Sequence, residues 1–521
     1  MKSFKVIVSL LLILVLTLTC AFAANGKGNN GFKTGNLTGK SAEAKAKIAT
    51  KFLEKETGKA FKVRTSNKDN LGLTTIRTQQ YFNDVPVYGF DQIVNIAEDG
   101  VVKSQIGFVA EGLEKQLSEM KKSVSPKQAI KIAEKELTFN PQYDVDPTAD
   151  LYVYLLDDKA YYVYLVELAF LYPEAGRWNY FVDIATGKVI DKFNRLTTKG
   201  KPSASYNPAN TMVATGLTTN GASKSFNINA HTDGQYYMVD LTRGGGIYTY
   251  DGLHRSKTGS SVFKGTDASF TSDNDRAGVD SQYFMAQCYD FYKEVFGRNS
   301  FDDNGAQIKS TVHYKSNYDN AYWYNGEFVF GDGDGVTTKP YCAGLDVVGH
   351  EYTHAVTEYT ANLIYRDESG AMNEAMSEIM GTAMEHYFEA NPDWLGAEDV
   401  MIKGGALNSL EDPKAYGHPD RVADMYTGTG DNGGVHINSH MICKTAHLIA
   451  EGGTHYGVTV QGHGVDTMQR IFYRALTTYM TASTNFAQGK QACIQAANEL
   501  YGVGSAQSIS VEKAFTSIGV N

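Results

Sequence analysis

The stretch LDVVGHEYTHAVTEYT, residues 345–360, decides how the chain is read. It follows an ordinary apolar helical pattern except for two histidines and a glutamate. His350 and His354 stand four residues apart, slightly more than one helical turn, so both project from one face and can share one ion. Glu351 sits beside the first histidine and leans to one side.

The next helical stretch, SGAMNEAMSEIMGTAMEHYFE, supplies a third ligand. Glu374 lies 20 residues after His354, and NLIYRDESG between them forms a turn that returns the chain. Two neutral imidazoles and one carboxylate leave the fourth position of a tetrahedral zinc ion to water, as in catalytic zinc sites. Zinc lowers the pKa of its water to near 7, so a neighbouring carboxylate free of the metal can take the proton. Glu351 suits that task. A peptide carbonyl attacked by this water develops an oxyanion that needs positioned donors, for which Tyr365 in NLIYRDE and His436 in DNGGVHINSH are the candidates.

Length and composition bound these readings. A chain of 521 residues holds more than one domain. Hydrophobic content of 42% and charged content of 20% belong to a soluble globular protein, and a net charge of -10 gives no sign of nucleic-acid binding. The start, MKSFKVIVSLLLILVLTLTCAFAANGKG, carries Lys2 and Lys5, an apolar run and Ala21-Phe22-Ala23, the pattern of a cleaved signal peptide over residues 1–23. The chain is therefore expected to be exported, with no stable membrane association once that segment is removed. Cys288, Cys342, Cys443 and Cys493 then allow two disulfides or four buried thiols.

Charge divides the chain. Lys and Arg against Asp and Glu give 27 - 22 = +5 for residues 1–200 and 21 - 36 = -15 for 201–521, so the front part can dock on the rear part. NRLTTKGKPSASYNPAN between them reads as an exposed linker open to proteolysis near residues 195–205. The front part reads as two small α+β units, 24–115 and 116–200. The first has a hairpin turn at Asp99-Gly100, and the second opens on a helix with Ser125 as N-cap and Pro126 in its first turn. Neither holds a His/Glu/Cys cluster. The rear part changes texture near residue 310, from Tyr- and Gly-rich β-like segments to helical ones, with lobes expected over 201–355 and 356–521 and a cleft between them.

The segments VVGHEYTHAVTEYTANLIYRDESGAMNEAMSE, DNGGVHINSH and NAYWYNGEFVFGDGDG together resemble the thermolysin-like neutral metalloproteases from about residue 205 to the end, and the front half resembles their two-part propeptide. The resemblance implies an α+β zincin fold: a β-rich lobe, a mainly helical lobe, a zinc cleft between them and a propeptide serving as chaperone and inhibitor. It implies a secreted, monomeric enzyme acting on proteins or peptides. His350, His354 and Glu374 would bind zinc, Glu351 would be general acid/base, and Tyr365 and His436 would stabilise the tetrahedral intermediate. Asp431 would orient His436. Glu378 stands where the family usually has an Asp bonded to a zinc histidine.

Asn320 and Ala321 match the edge that pairs with substrate, and Val347, Val400 and Leu407 match the apolar pocket for the residue just after the scissile bond. Asn408 replaces an arginine common in the family. Asp346, Glu385, Asp393 and Glu398 match calcium ligands. Glu385 lies 11 residues past Glu374, three turns along the same helical face and about 16 Å away. GDGDG at 331–335 lacks the later glutamate of an EF-hand loop and reads as a turn. Two other functions are weighed. A zinc-bearing binding module predicts damage at Glu351, Tyr365 or His436, and the sequence has none; a hydrolase of other bonds would have no use for the NAYW edge.

Overall fold

The computed structural model describes residues 41–195, except 70, 118–119 and 173–174, and residues 206–521, except 260 and 325. The signal segment and most of the expected linker lie outside the described residues.

The two front units share one eight-stranded sheet. Strands Ala60–Lys68, Thr74–Phe82 and Val85–Ile96 run antiparallel, and Val102–Ile106 closes the Asp99-Gly100 hairpin onto the last of them. A parallel bridge, Val87 to Val153, joins this unit to the meander Gln142–Leu156, Lys159–Tyr172, Gly176–Asp183 and Val189–Asn194. Each unit packs its own helix. Ala42–Thr57 buries Ile48, Ala49 and Leu53 against the first, and Pro126–Glu134 buries Ala129 and Ala133 against the second. Ser125 caps that second helix in a full capping box with Gln128, as its sequence predicts.

The rear part opens with two five-stranded sheets. In the second, Ile247–Arg255, Ile308–Tyr314 and Glu327–Phe330 pair in parallel, and Ala321–Tyr324 forms the free edge. Helix Arg276–Phe296 packs under them. The expected change of texture near residue 310 comes later: apart from helix Arg276–Phe296, the sheet strands continue to Phe330, and the run of helices begins at Leu345. Ile308–Tyr314 is buried at every position, so it lacks the polar alternation that would mark it as a strand. Helix Leu345–Glu358 runs unbroken through the lobe boundary expected at 355, and the chain reverses over 359–366. Helices Asp367–Phe388, Asp431–Glu451, Val465–Arg474, Phe486–Tyr501 and Ala506–Ser517 complete the rear part. One continuous apolar core runs from Phe226 and Phe270 in the β-rich lobe to Phe515 and Ile518 in the helical lobe.

The front part docks on the rear part through polar contacts running both ways. Arg77 donates to the Met480 carbonyl at 2.7 Å and to that of Thr477 at 2.9 Å, while Arg474 of the rear part meets Asp69 at 2.6 Å. The ion pairs Arg474–Asp69 and Arg366–Asp191 both put the cation on the rear part, opposite to the sense that the net charges suggest. The four rear cysteines are free and buried, the second of the two states the sequence allowed.

Candidate active site

Two helices that approach closely at glycines build the site. A Cβ on Gly349 would stand 2.8 Å from the Met384 sulfur, and one on Gly381 would stand 2.6 Å from the Asp346 carbonyl oxygen. This approach brings the histidine face of Leu345–Glu358 against Glu374 on Asp367–Phe388. Nε2 of His350 and Nε2 of His354 lie 3.0 Å apart, and the Glu374 oxygens lie 3.3 and 3.4 Å from them.

Proton positions on these rings follow from their outer partners. Nδ1 of His354 is 2.9 Å from the Asn373 side-chain oxygen, and Nδ1 of His350 is 3.4 Å from Glu378. Both Nδ1 atoms therefore carry hydrogen, so in the neutral rings two Nε2 lone pairs face each other beside a carboxylate; burial works against charge on His350, but Glu378 and Glu374 hold that ring well above the usual imidazole range. Such a set of acceptors fits a divalent cation, with outer partners of the kind that orient ligating histidines. Burial favours neutral His354 and pushes it down to about 4. Burial works against charge on Glu374, yet the surrounding His436, His354 and His350 hold it well below the usual carboxylate range.

Glu378 reaches His350 despite its extra methylene, and its Oε1 also accepts from Asn408 Nδ2 at 3.2 Å. The residue in the arginine position is thus buried against this carboxylate at the cleft wall.

Glu351 points into the cleft with one carboxylate oxygen lacking a hydrogen-bond partner. Burial lifts it to about 7, while the Trp323 backbone N–H, on the edge strand, favours its charged form. Across the cleft, Asp431 and Asn432 have φ of 51° and 48°, and Gly433 and Gly434 have 89° and 81°. Side-chain Cβ atoms at the two glycines would collide with Asp367 and the Tyr426 ring, so DNGG turns only with glycine there. The turn aims His436 back at the cleft. Its Nδ1 donates to Asp431 at 2.6 Å, and its Nε2 lies 3.0 Å from the Tyr365 hydroxyl, which itself donates to Glu374. His436 keeps 60% of its side chain exposed; partial desolvation disfavours its charge, but the Glu374 charge and the Asp431 hydrogen bond raise it to about 9.

The cleft encloses about 370 Å³, and Asn320, Ala321, Val347 and Leu407 line it. Val400 does not: it is fully buried in a small cluster with Ala343, Ala397 and Val347, behind the wall. Asp346, Glu385 and Glu398 converge within 4.8 Å, a group that can hold a cation. Asp393 stands outside this group, with its carboxylate accepting from the Leu395 N–H at 2.7 Å. Sequence reasoning gave no role to Asn373 or Trp323; the first adjoins Glu374, and the second acts through its backbone, which side-chain identity does not reveal.

The sequence matches the thermolysin metallopeptidase catalytic domain over residues 213–358 and the thermolysin metallopeptidase alpha-helical domain over 361–520. Bacillolysin of Bacillus cereus is 43% identical over 521 aligned residues, covering 94% of this chain and 92% of that protein. The chain belongs to the thermolysin family. Thermolysin of Bacillus sp. (strain EA1) is 43% identical over 462 residues, covering 87% and 84% of the two chains. Neutral protease B of Bacillus subtilis (strain 168) is 41% identical over 480 residues, covering 88% and 85%. The front part matches the Fungalysin/Thermolysin Propeptide Motif over 59–107 and the peptidase propeptide and YPEB domain over 123–193. Like its thermolysin-family relatives, the protein is a metalloendopeptidase made as a precursor.

Proposed function

We propose that the chain is a secreted, monomeric zinc endopeptidase that favours bulky apolar residues just after the scissile bond and is held inactive by its own front part. Zinc would be held by His350, His354 and Glu374, whose inward-facing acceptor atoms are the observation that carries this reading. When bound it would polarise the scissile carbonyl and acidify a water. Glu351 takes the proton of the attacking water and later passes it to the leaving nitrogen, which departs as a neutral amine. Tyr365 and His436 donate to the oxygen that gains charge, and Asp431 holds the His436 ring for that donation. Asn320 and Ala321 pair with the substrate backbone on the free strand edge. Val347 and Leu407 meet the apolar side chain, and Val400 supports Val347 from behind.

Calcium would be held by Asp346, Glu385 and Glu398, hard oxygen donors around one point, with Asp393 at the margin. The proposed domains are the signal peptide 1–23, propeptide units 24–115 and 116–200, and the two lobes expected over 201–355 and 356–521, with the boundary moved past the end of the helix at Glu358. Inhibition by the front part is supported at Asn194, which lines the cleft and accepts from Asn432 Nδ2 at 2.9 Å through its carbonyl. No helix among the described residues is long and apolar enough to cross a membrane.

The test is intact mass and amino-terminal sequencing of secreted wild type beside Glu351→Ala, both with the full front part. Loss of residues up to the 195–205 region in wild type alone supports self-processing by this site. Both chains remaining full length would contradict the reading.

A further inference from the structure

A second cluster lies in the β-rich lobe. Strand Ile247–Arg255 pairs in parallel with Ile308–Tyr314, and their register breaks between Asp251 and Arg255. At the break Leu253 and His254 have φ of 54°, and so does His313 on the partner strand. Residues with a Cβ hold this conformation rarely and at a cost. Gly252 lets the strands close up, since a Cβ there would stand 2.7 Å from the His313 carbonyl oxygen. Such irregularities re-aim side chains.

What they aim is a pair of imidazoles at one carboxylate. The His254 and His313 rings lie 5.1 Å apart. Nδ1 of His313 is 2.8 Å from one oxygen of Asp332, and Nδ1 of His254 is 3.0 Å from the other. One donor atom from each residue lies within 4.8 Å of the other two. Asp332 is the first aspartate of GDGDG, whose second, Asp334, is spent on the turn by accepting from the N–H groups of Val336, Thr337 and Thr338.

The proton on His313 has one place to be. Its Nε2 lies 3.0 Å from the Asn274 carbonyl oxygen, which can only accept. In the neutral ring, Nδ1 is then a lone pair aimed at a carboxylate oxygen. Two acceptors at that separation need a cation between them or a second proton on the ring. A histidine whose outer N–H goes to a backbone carbonyl and whose inner lone pair meets a carboxylate is arranged as a ligating one. Two imidazoles and a carboxylate suit a borderline divalent ion. His254, with 49% of its side chain exposed, leaves the cluster open to solvent for entry.

We propose that His254, His313 and Asp332 form a second site for a divalent transition-metal ion of the zinc class, structural in role and separate from the cleft. Its effect would reach the substrate edge through one residue. Gly331, beside Asp332, donates its N–H to the Asn320 carbonyl and accepts from the Tyr341 N–H, both at 3.0 Å, and Asn320 and Tyr341 line the cleft. An ion held by Asp332 would fix that backbone and fasten strands Ile247–Arg255 and Ile308–Tyr314 to the loop that follows Glu327–Phe330.

Zinc content per chain after equilibrium dialysis against zinc, in calcium-containing buffer, tests this in the full-length Glu351→Ala protein, which avoids self-cleavage. The expected result is one zinc fewer in both His254→Ala and Asp332→Asn, with circular dichroism unchanged. A second arm uses the His350→Ala/His354→Ala chain, in which zinc should still raise the melting temperature and should cease to do so once His254→Ala is added. Equal zinc content in parent and both variants, or no zinc effect on melting in that second arm, would overturn the proposal and leave His313 as an imidazolium paired with Asp332.

Discussion

Nε2 of His436 lies 3.0 Å from the Tyr365 hydroxyl, and both groups stand beside the Glu374 carboxylate. Two donors, one from the turn before Asp367–Phe388 and one from Asp431–Glu451, thus converge where an oxyanion would form. Removing one such donor costs about 10²–10³ in kcat. Tyr365→Phe and His436→Ala are each expected to lose that much with KM little changed, measured by steady-state cleavage of a quenched peptide.

Glu378 faces His350 at 3.4 Å and accepts from Asn408, so it would orient His350 as a proposed zinc ligand without being one itself. Glu378→Ala is expected to weaken zinc binding by about 10–100-fold, the usual effect of losing such a partner. Competition with a chromophoric chelator reads this directly.

Asp346, Glu385 and Glu398 are crowded carboxylates raised first by burial and then by neighbouring carboxylates: Asp346 acts on both Glu385 and Glu398, and Glu378 and Asp399 act on Asp346. Without a cation they retain protons, so calcium uptake should release protons, and calcium affinity should fall as pH falls. Calorimetry in buffers of different ionisation enthalpy measures the release. Glu385→Gln should lower the melting temperature in calcium and abolish its dependence on calcium.

Asp280 is buried, with one carboxylate oxygen accepting from the Thr219 N–H at 3.0 Å and the other lacking a partner. Burial raises it from 3.8 to about 7. The folded chain therefore binds more protons than the unfolded chain between these values. Its contribution to stability is greatest below 3.8 and declines as pH rises to about 7. Asp280→Asn should gain up to about 4 kcal/mol at pH near 8 and nothing near pH 4, read by urea unfolding in the Glu351→Ala background.

Arg77 places its guanidinium on carbonyls of the rear part, an anchor of the kind that dominates interfaces. Arg77→Ala in a separately added front part should weaken its inhibition of the mature enzyme at least tenfold.

The convergence of His350, His354 and Glu374 was legible because its spacing is local: one helical turn separates the histidines, and a short return brings Glu374. The apolar pocket was less so, since alignment by motif does not say which side of a wall Val400 occupies. His254 and His313 carry no local signal, and Asp332 carries only the GDGDG that reads as a turn. They lie 59 and 19 residues apart and meet only through parallel strand pairing and an irregular register. The free cysteines were undecidable for a similar reason, because burial in separate packing environments is a property of the fold.

The most direct test compares wild type with Glu351→Gln, matured to the same amino terminus and loaded to equal zinc content, on a peptide with Leu after the scissile bond. The account predicts that the variant binds zinc and peptide as wild type does while hydrolysis falls by at least about 10², the lower range for general acid–base catalysis. Unchanged hydrolysis at equal zinc content would contradict the role assigned to Glu351 and, with it, the mechanism.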